Sequence, residues 1–194
     1  MDHNHGIAAA PFTGIVQAQR GQMERWSFTM TLRRLTRKQA SSAFGFFLNL
    51  EGPLNIFRMA DPAALQPLGR ATGMPVGSAT AAGSRTIATI GWTPNTDILR
   101  AGDWVQIGHN YSRVRNSVTS DASGAATLDL WPRIMLAVIS GTPVKLRPAR
   151  GLFRFSVTPP EFDISAESLL RTHEFRLAGS QEILTPALIA TLES

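Results

Sequence analysis

Residues 25–33, Arg-Trp-Ser-Phe-Thr-Met-Thr-Leu-Arg, decide the fold that this sequence predicts. Apolar side chains stand at positions 26, 28, 30 and 32, and polar or basic side chains stand between them. Because successive side chains point to opposite faces of a strand, this two-residue period is typical of a β-strand with one buried face. The stretch therefore predicts a strand that packs an apolar face against a core.

The hydrophobic period changes to that of a helix directly after this strand. Thr36 and Gln39 have the spacing of a capping box, in which the two side chains satisfy free amides at a helix start. The pattern ends at Gly52-Pro53, and a second short strand is expected at 54–57. We expect a helix of about three turns between them. Its apolar stripe is Ala40, Ala43, Phe44, Phe47 and Leu48.

The middle of the chain has a different pattern. Residues 60–84 hold four Gly and three Pro with weak periodicity, which predicts a long surface excursion. Short strands with turn residues between them follow, and five such strands are enough to close a small barrel or sandwich. The expected strands are 86–92, 104–107, 112–116, 126–131 and 142–146.

A second alternating stretch, 152–157, follows this region and places Phe153 and Phe155 on one face. It ends at Pro159-Pro160, and a helical turn within 161–170 and a strand at 172–177 are expected after it. Phe-rich strands on both sides of the middle region need one shared core. The 25–33 and 152–157 strands should therefore lie in one sheet.

The predicted fold is mainly β (α+β), a strand-helix-strand platform with a β-sandwich, interrupted by a small inserted β-barrel. We assign residues 1–22 to an extended N-terminal arm. Residues 23–84 and 148–194 form the platform domain, and residues 85–147 form the inserted domain.

Composition narrows the function classes. Charged residues make up 17% of the 194 residues, and the basic side is 17 Arg against 2 Lys, which favours a surface that meets protein or nucleic acid. The absence of Cys excludes disulfides, thiolate metal sites and cysteine nucleophiles. No 18-residue apolar window and no signal-peptide pattern is present, so we expect no membrane association.

Residue patterns for catalysis are weak. No phosphate-binding glycine loop and no nucleophile elbow occurs, and Glu161 with Asp163 is the one carboxylate pair on a common strand face. A wall-degrading or sugar-cleaving enzyme built on that pair is the weakest hypothesis. We expect no catalytic, cofactor-binding or metal-binding residues. The four histidines are scattered, without ligand spacing: His3, His5, His109 and His173.

A nucleic-acid-binding module in the inserted barrel is the alternative function. Trp92, Trp104 and Trp131 could stack on bases beside Arg113 and Arg115, as in single-strand binding surfaces. Aromatic residues in a domain of this size also commonly form its core. Salt-dependent binding of single-stranded DNA separates these two interpretations.

The segment Trp26 to Phe57 resembles the tail-hub proteins of long-tailed bacteriophages, which include distal tail proteins, minor tail proteins of the tail tip and gene-transfer-agent relatives. The resemblance rests on the strand after Trp26, the helix ending in Phe44-Gly45-Phe46-Phe47-Leu48, and the strand ending at Phe57 before Asp61-Pro62. Residues 99–108, 111–114 and 123–132 are similar to a small β insertion of some members. The 60–84 excursion departs from the simplest members.

The resemblance implies a structural role without catalytic residues. The partners it implies are further copies in a ring, expected to be a homohexamer, the tail tube protein, and baseplate hub or fibre proteins, with DNA passing through the lumen. The implied location is the tail tip of the virion, after assembly in the bacterial cytoplasm. Near the C-terminus, an apolar stripe is expected to dock on a neighbour or on its own domain: Leu184, Leu188, Ile189 and Leu192.

Overall fold

The computed structural model describes residues 24–156, 175–182, 185, 188 and 190 in full, and the backbone of residues 2–3, 6–9, 16–19, 161–163 and 173–174. These residues fall into two compact units. We call the part built from Arg25–Arg58 and Leu152–Glu182 the platform unit, and the part built on Met59–Gly151 the barrel unit.

In chain order the elements are β1 (Asp2–His3), β2 (Gly6–Ala9), β3 (Val16–Gln19), β4 (Glu24–Arg25), β5 (Ser27–Leu35), α1 (Arg37–Asn49), β6 (Phe57–Met59), β7 (Gly73–Gly77), β8 (Thr86–Trp92), β9 (Asp97–Leu99), β10 (Trp104–Ile107), β11 (Asn110–Val114), β12 (Val118–Thr119), β13 (Ala126–Trp131), β14 (Thr142–Lys145), β15 (Gly151–Phe155), β16 (Glu161–Asp163) and β17 (His173–Gln181).

The platform unit contains a five-stranded sheet with α1 packed on it. The nine-residue strand β17 has β5 on one side and both β15 and β16 on the other, and β6 pairs with β15. The strands near 26 and near 152 therefore share one sheet, as expected. Helix α1 begins at the Thr36 cap, where the capping box with Gln39 is complete.

An aromatic cluster forms the core of the platform unit. Phe28 of β5 meets Phe153 edge-to-face at 5.5 Å between ring centroids, and Phe44 of α1 meets Phe175 of β17 at 4.9 Å. Such geometries are favoured because the positive edge of one ring faces the negative face of another. The rings connect residues 28–57 to residues 153–175, so both chain segments are needed for this core. Its members are Phe28, Phe44, Phe47, Phe57, Phe153, Phe155 and Phe175, and the exposed Phe46 contacts the cluster through Phe47 and Phe57.

The barrel unit is a closed six-stranded barrel in the order β10-β11-β13-β8-β7-β14. Its core is mostly aliphatic, with fully buried Ile87, Leu128 and Leu130 and one aromatic residue, Trp92, among its members. On β10 and β11, Val105, Ile107 and Val114 point into this core, so the alternate residues lie on the outside of the barrel. The mainly β fold with a small barrel is confirmed.

Several boundaries differ from the sequence-based expectation. The inserted unit spans Met59–Gly151 rather than 85–147, because the 60–84 excursion contributes the barrel strand β7. The strand expected at 54–57 begins later in the chain, as β6 (Phe57–Met59). Glu51 and Gly52 adopt left-handed backbone conformations (φ 50° and 66°), so a turn lies between the helix and this strand. The strand expected at 152–157 is observed at Gly151–Phe155.

One further expectation is corrected. Within residues 1–22, assigned to an extended arm, strands β2 and β3 pair as a hairpin. Residues 161–163 form β16 rather than a helical turn, because they pair with β17. The rest of the turn expected at 161–170, and Val157, lie outside the described residues.

Candidate functional site

The first candidate surface is the edge of β5 that faces away from β17 in the platform unit. Among the described residues, β5 pairs only with β17. The amide of Gln181 donates to the Trp26 carbonyl oxygen, which fixes the alternation of the antiparallel ladder. The backbone groups of residues 28, 30 and 32 therefore face β17, and those of Thr29 and Thr31 face away from it. Such an edge is a template for pairing with another strand.

Exposed apolar side chains also lie on the platform unit. Leu48 of α1 is 74% exposed and Leu54 is 68% exposed, and Phe46 is 46% exposed. The turn that carries Leu54 is held in place by Arg154, whose guanidinium donates at 2.6 Å to the carbonyl oxygens of both Pro53 and Leu54. Leu48 was expected on the buried stripe of the helix, and its exposure is a correction.

The second candidate surface is a cluster on the outside of the barrel. The Trp104 and Tyr111 rings stack with centroids 4.2 Å apart, and the Arg113 guanidinium lies 4.3 Å from the Trp104 ring centroid. The register places Trp104 directly opposite Arg113 on the neighbouring strand. One oxygen of Asp61 accepts hydrogen bonds from Trp104 Nε1 and from the Arg113 guanidinium, both at 3.0 Å.

The Asp61 cluster perturbs two ionisations. Partial burial pulls the pKa of the Asp61 carboxyl upward, but hydrogen bonds from Trp104, Ala63 and Arg113 outweigh it, so the pKa lies below its usual value. Burial is the main cause that raises the pKa of the Tyr111 phenol. At neutral pH Asp61 is therefore a carboxylate and Tyr111 a neutral phenol.

Asp103, a second aspartate, anchors the loop that follows Asp61. The buried carboxylate of Asp103 accepts hydrogen bonds from the amides of Leu68 (2.8 Å) and Gly69 (3.1 Å). A Cβ on Gly69 would overlap the carbonyl of Ile98, so the chain can approach β9 this closely only with glycine. The loop Pro62–Leu68 is thus pinned at both ends, with Leu65 and Leu68 exposed.

An open groove of about 420 Å³ lies at the other end of the β10-β11 hairpin. Its lining is mostly apolar, and Ile139 at its side is 79% exposed. Ala190 also lines it, and Leu188 is half-buried, whereas Leu184, Ile189 and Leu192 of the C-terminal stripe lie outside the described residues. Where that stripe docks stays a prediction. The other principal lining residues are Ile107, His109, Leu136, Val138 and Thr142.

The Trp and Arg residues that the alternative function, nucleic-acid binding, would use contact other groups of the protein. Trp92 is buried in the barrel core, and its indole NH donates to Thr89 at 2.8 Å. Trp104 and Arg113 belong to the Asp61 cluster, and Arg115 pairs with Asp129. Trp131 is half-buried opposite Arg113. The structure therefore brings Trp104 and Arg113 together, but it surrounds them with protein groups rather than presenting a row of exposed rings.

The ionisable candidates are not gathered into one site. His109 lies in the turn between β10 and β11, while the side chains of His3, His173, Glu161 and Asp163, and all of His5, lie outside the described parts. The ladder places Glu161 opposite Arg176. No group of three His, Asp or Glu residues able to hold a metal occurs among the described side chains. Nor does any helix in the described ranges have the length and apolar character needed to cross a membrane.

The functional features that sequence reasoning missed are the Asp61 and Asp103 anchors. Asp61 precedes a proline and Asp103 follows a glycine, so both were interpretable as ordinary turn residues. Their long-range partners lie 34 to 52 residues away in the chain, and sequence spacing carries no signal for such contacts. No protein-family model and no curated protein matches the chain.

Proposed function

We propose that this chain is a structural component of a bacteriophage tail tip, where copies form a ring that joins the tail tube to the baseplate or fibre. The observation that carries the proposal is that the nine-residue strand β5 pairs, among the described strands, with β17 alone, so that the backbone groups of Thr29 and Thr31 face away from the sheet. The resemblance of residues 26–57 to tail-hub proteins suggests a ring-shaped assembly. The edge of β5 offers backbone groups through which neighbouring copies could pair.

The sheet has two different margins, and this supports a ring rather than a simple pair. Strand β5 forms one margin, while β6 and β16 lie at the other side. Contacts between two different patches are head-to-tail, and they generate closed rings when the rotation between copies closes. We therefore expect β5 of one copy to pair with the opposite margin of the next. The exposed Leu48 and Leu54 would then be covered by neighbouring protein, since clustered apolar exposure marks interaction sites.

A proline at position 29 tests the edge contact. The Thr29 amide faces away from β17, so Thr29→Pro removes a donor from the open edge without removing a ladder hydrogen bond. Thr29→Val keeps the amide and a β-branched side chain, which makes it the matched control. In light scattering and native mass spectrometry, wild type and Thr29→Val should form the ring, and Thr29→Pro should form smaller species with an unchanged circular dichroism spectrum.

Particle composition is the second test, since some hub proteins close their ring only on the tube. Mass spectrometry of purified virions from the encoding phage should detect this chain at a fixed copy number per tail, six if the ring is a hexamer. Absence from purified particles would refute the proposed function. If the chain is present in particles and Thr29→Pro is incorporated as well as wild type, the proposed tail-tip location stands and the β5 edge contact is rejected.

A further inference from the structure

The positive charge of the barrel unit is only partly paired with carboxylates. Residues 59–151 contain nine basic and five acidic residues. Five of the basic residues lie within 3.5 Å of a carboxylate oxygen: Arg85, Arg100, Arg113, Arg115 and Arg133. The other four form no ion pair within the part of the chain that the structure describes: Arg70, Lys145, Arg147 and Arg150. These four residues therefore carry the excess charge of the unit, and we call them the basic patch.

Two members of the basic patch lie together beside strand β10. Lys145 is the last residue of β14 and stands opposite Gln106 of β10. Their neighbours Val144 and Ile107 belong to the barrel core, so Lys145 and Gln106 lie on the outside of the barrel. The side-chain oxygen of Gln106 accepts a hydrogen bond from the Arg150 amide at 3.0 Å. This bond brings Arg150 beside Lys145.

The other two members lie where β14 passes the chain that leads into β7. The Arg147 guanidinium donates at 2.7 Å to the carbonyl oxygen of Ala71, which directly follows Arg70. Arg147 is half-buried, whereas the other three members are exposed. The buried carboxylate of Asp103 binds the Gly69 amide and so lies close to Arg70, whose charge it partly offsets. The patch therefore presents three strong positive charges and a fourth, weaker one.

The chemistry of the patch fits phosphate groups better than bases. Trp104, two residues from Gln106 on β10, and Trp92, opposite Gly73 at the start of β7, are both buried. Single-stranded nucleic acid is commonly bound by exposed rings on which its bases stack. Backbone phosphates are instead contacted by Arg, Lys and amide groups. The Arg147 guanidinium carries five N–H donors and uses one of them on Ala71, so it retains donors for a phosphate.

We propose that the basic patch contacts the phosphate backbone of double-stranded DNA. The inference rests on the proposed tail-tip ring for the source of that DNA, which is the genome that passes through the lumen. Phosphate contacts carry no sequence information, so the contact is independent of DNA sequence. A small number of such contacts gives weak, salt-sensitive binding, and proteins bound in this way can slide along DNA. The patch can therefore guide the DNA without retaining it.

The salt dependence of DNA binding counts the phosphate contacts. Each neutralised phosphate adds about −0.9 to the slope of log K against log salt concentration, so about three to four contacts predict a slope of about −2.7 to −3.6. The affinity for a short fluorescein-labelled DNA duplex should then fall about 40- to 150-fold between about 50 and 200 mM salt. Fluorescence anisotropy with the isolated full chain measures this slope.

A charge-matched pair of variants locates the contact. Lys145→Gln/Arg150→Gln removes two charges from the patch and should make the slope shallower by about 1.8. Arg100→Gln/Arg115→Gln is the matched control, because it removes two charges from exposed arginines of the same unit that already pair with carboxylates. The control should keep the slope of the wild type. Lys145→Arg/Arg150→Lys retains both charges and should bind as the wild type does, which separates lost charge from altered folding.

The outcomes separate the DNA contact from the ring. A wild-type chain that does not bind the duplex at about 50 mM salt overturns the contact and leaves the ring standing. An equal change of slope in the Arg100/Arg115 control also overturns it, because binding would then follow net charge alone. Polyglutamate that displaces the duplex as well as unlabelled DNA does would assign the patch to an acidic protein instead. Salt-dependent DNA binding that requires Lys145 and Arg150, in a chain absent from purified virions, supports the contact and refutes the tail-tip role.

Discussion

Substitution of Asp61 by Asn should destabilise the barrel unit by about 2–3 kcal/mol. One Asp61 oxygen accepts from Trp104 and Arg113 at 3.0 Å, and the other accepts from the Ala63 amide at 3.0 Å. An asparagine has one acceptor oxygen, so either orientation of its amide places a donor against a donor. A neutral hydrogen bond contributes about 1 kcal/mol, and a charged one about 1.5–3 kcal/mol. We take the lower end for Arg113, whose side chain is 36% exposed.

Thermal unfolding at pH 7 measures this loss. For a chain of this length, 2–3 kcal/mol corresponds to a fall in Tm of about 4–12 °C. The matched control is Asp129→Asn, which removes the partner of Arg115 in an exposed pair of the same barrel and should cost under about 1 kcal/mol. Hydrogen exchange at the Ala63 amide should accelerate in Asp61→Asn alone. Equal melting temperatures for the two variants would refute the anchoring role of Asp61.

The same reasoning fixes a pH dependence. The pKa of Asp61 is lower in the folded chain than its ordinary value. Its stabilisation is therefore complete at pH values well above the unfolded value of about 3.9, and it is lost as pH falls through the lower folded value. Asp61→Asn should remove this component, so the stability difference between wild type and variant should shrink below about pH 4.

Two further substitutions test the platform unit. Gly179→Ala should destabilise it by about 1–3 kcal/mol through overpacking, because the added carbon would lie 2.6 Å from the Phe28 ring. Ala178→Ser changes the exposed neighbouring residue and should be nearly neutral. Equal urea unfolding midpoints for the two variants would contradict the packing argument. Thr36→Ala removes the hydroxyl that caps α1 and should cost about 1 kcal/mol, whereas Thr36→Ser should retain most of the stability.

Elements specified by adjacent residues were predictable from the sequence. The period-two stretch at 25–33 and the capping box at Thr36 depend on contacts within one strand or one turn, and the structure places β5 and α1 close to the expected bounds. Strand β7 was missed because its sequence, Gly-Met-Pro-Val-Gly, has turn residues in place of an alternating pattern. Barrel closure by β8 and β14 makes it a strand, and such long-range pairing leaves no local signal.

The candidate surfaces also combine features that adjacent residues specify with features that depend on long-range contacts. The sequence places Trp104 and Arg113 on barrel strands, but it does not show that Asp61 binds both of them. Asp61 is 43 residues from Trp104 and 52 residues from Arg113 in the chain, so these contacts have no local sequence signal. The position of β5 at the margin of the described sheet is likewise a property of the whole sheet. Its alternating sequence would be the same in a central strand, so only the observed strand order distinguishes the two.

The distribution of phenylalanine along the sequence marks the boundary between the two units. The ten phenylalanines fall at residues 12–57 and 153–175, and none occurs from 58 to 152. That gap coincides with the barrel unit, Met59–Gly151, whose core consists largely of Ile, Leu and Val. Large aromatic rings suit the wide space between a helix and a sheet, whereas a narrow six-stranded barrel is filled by smaller branched side chains. The boundary can therefore be located from the volume of the core residues, even where Gly and Pro obscure strand periodicity.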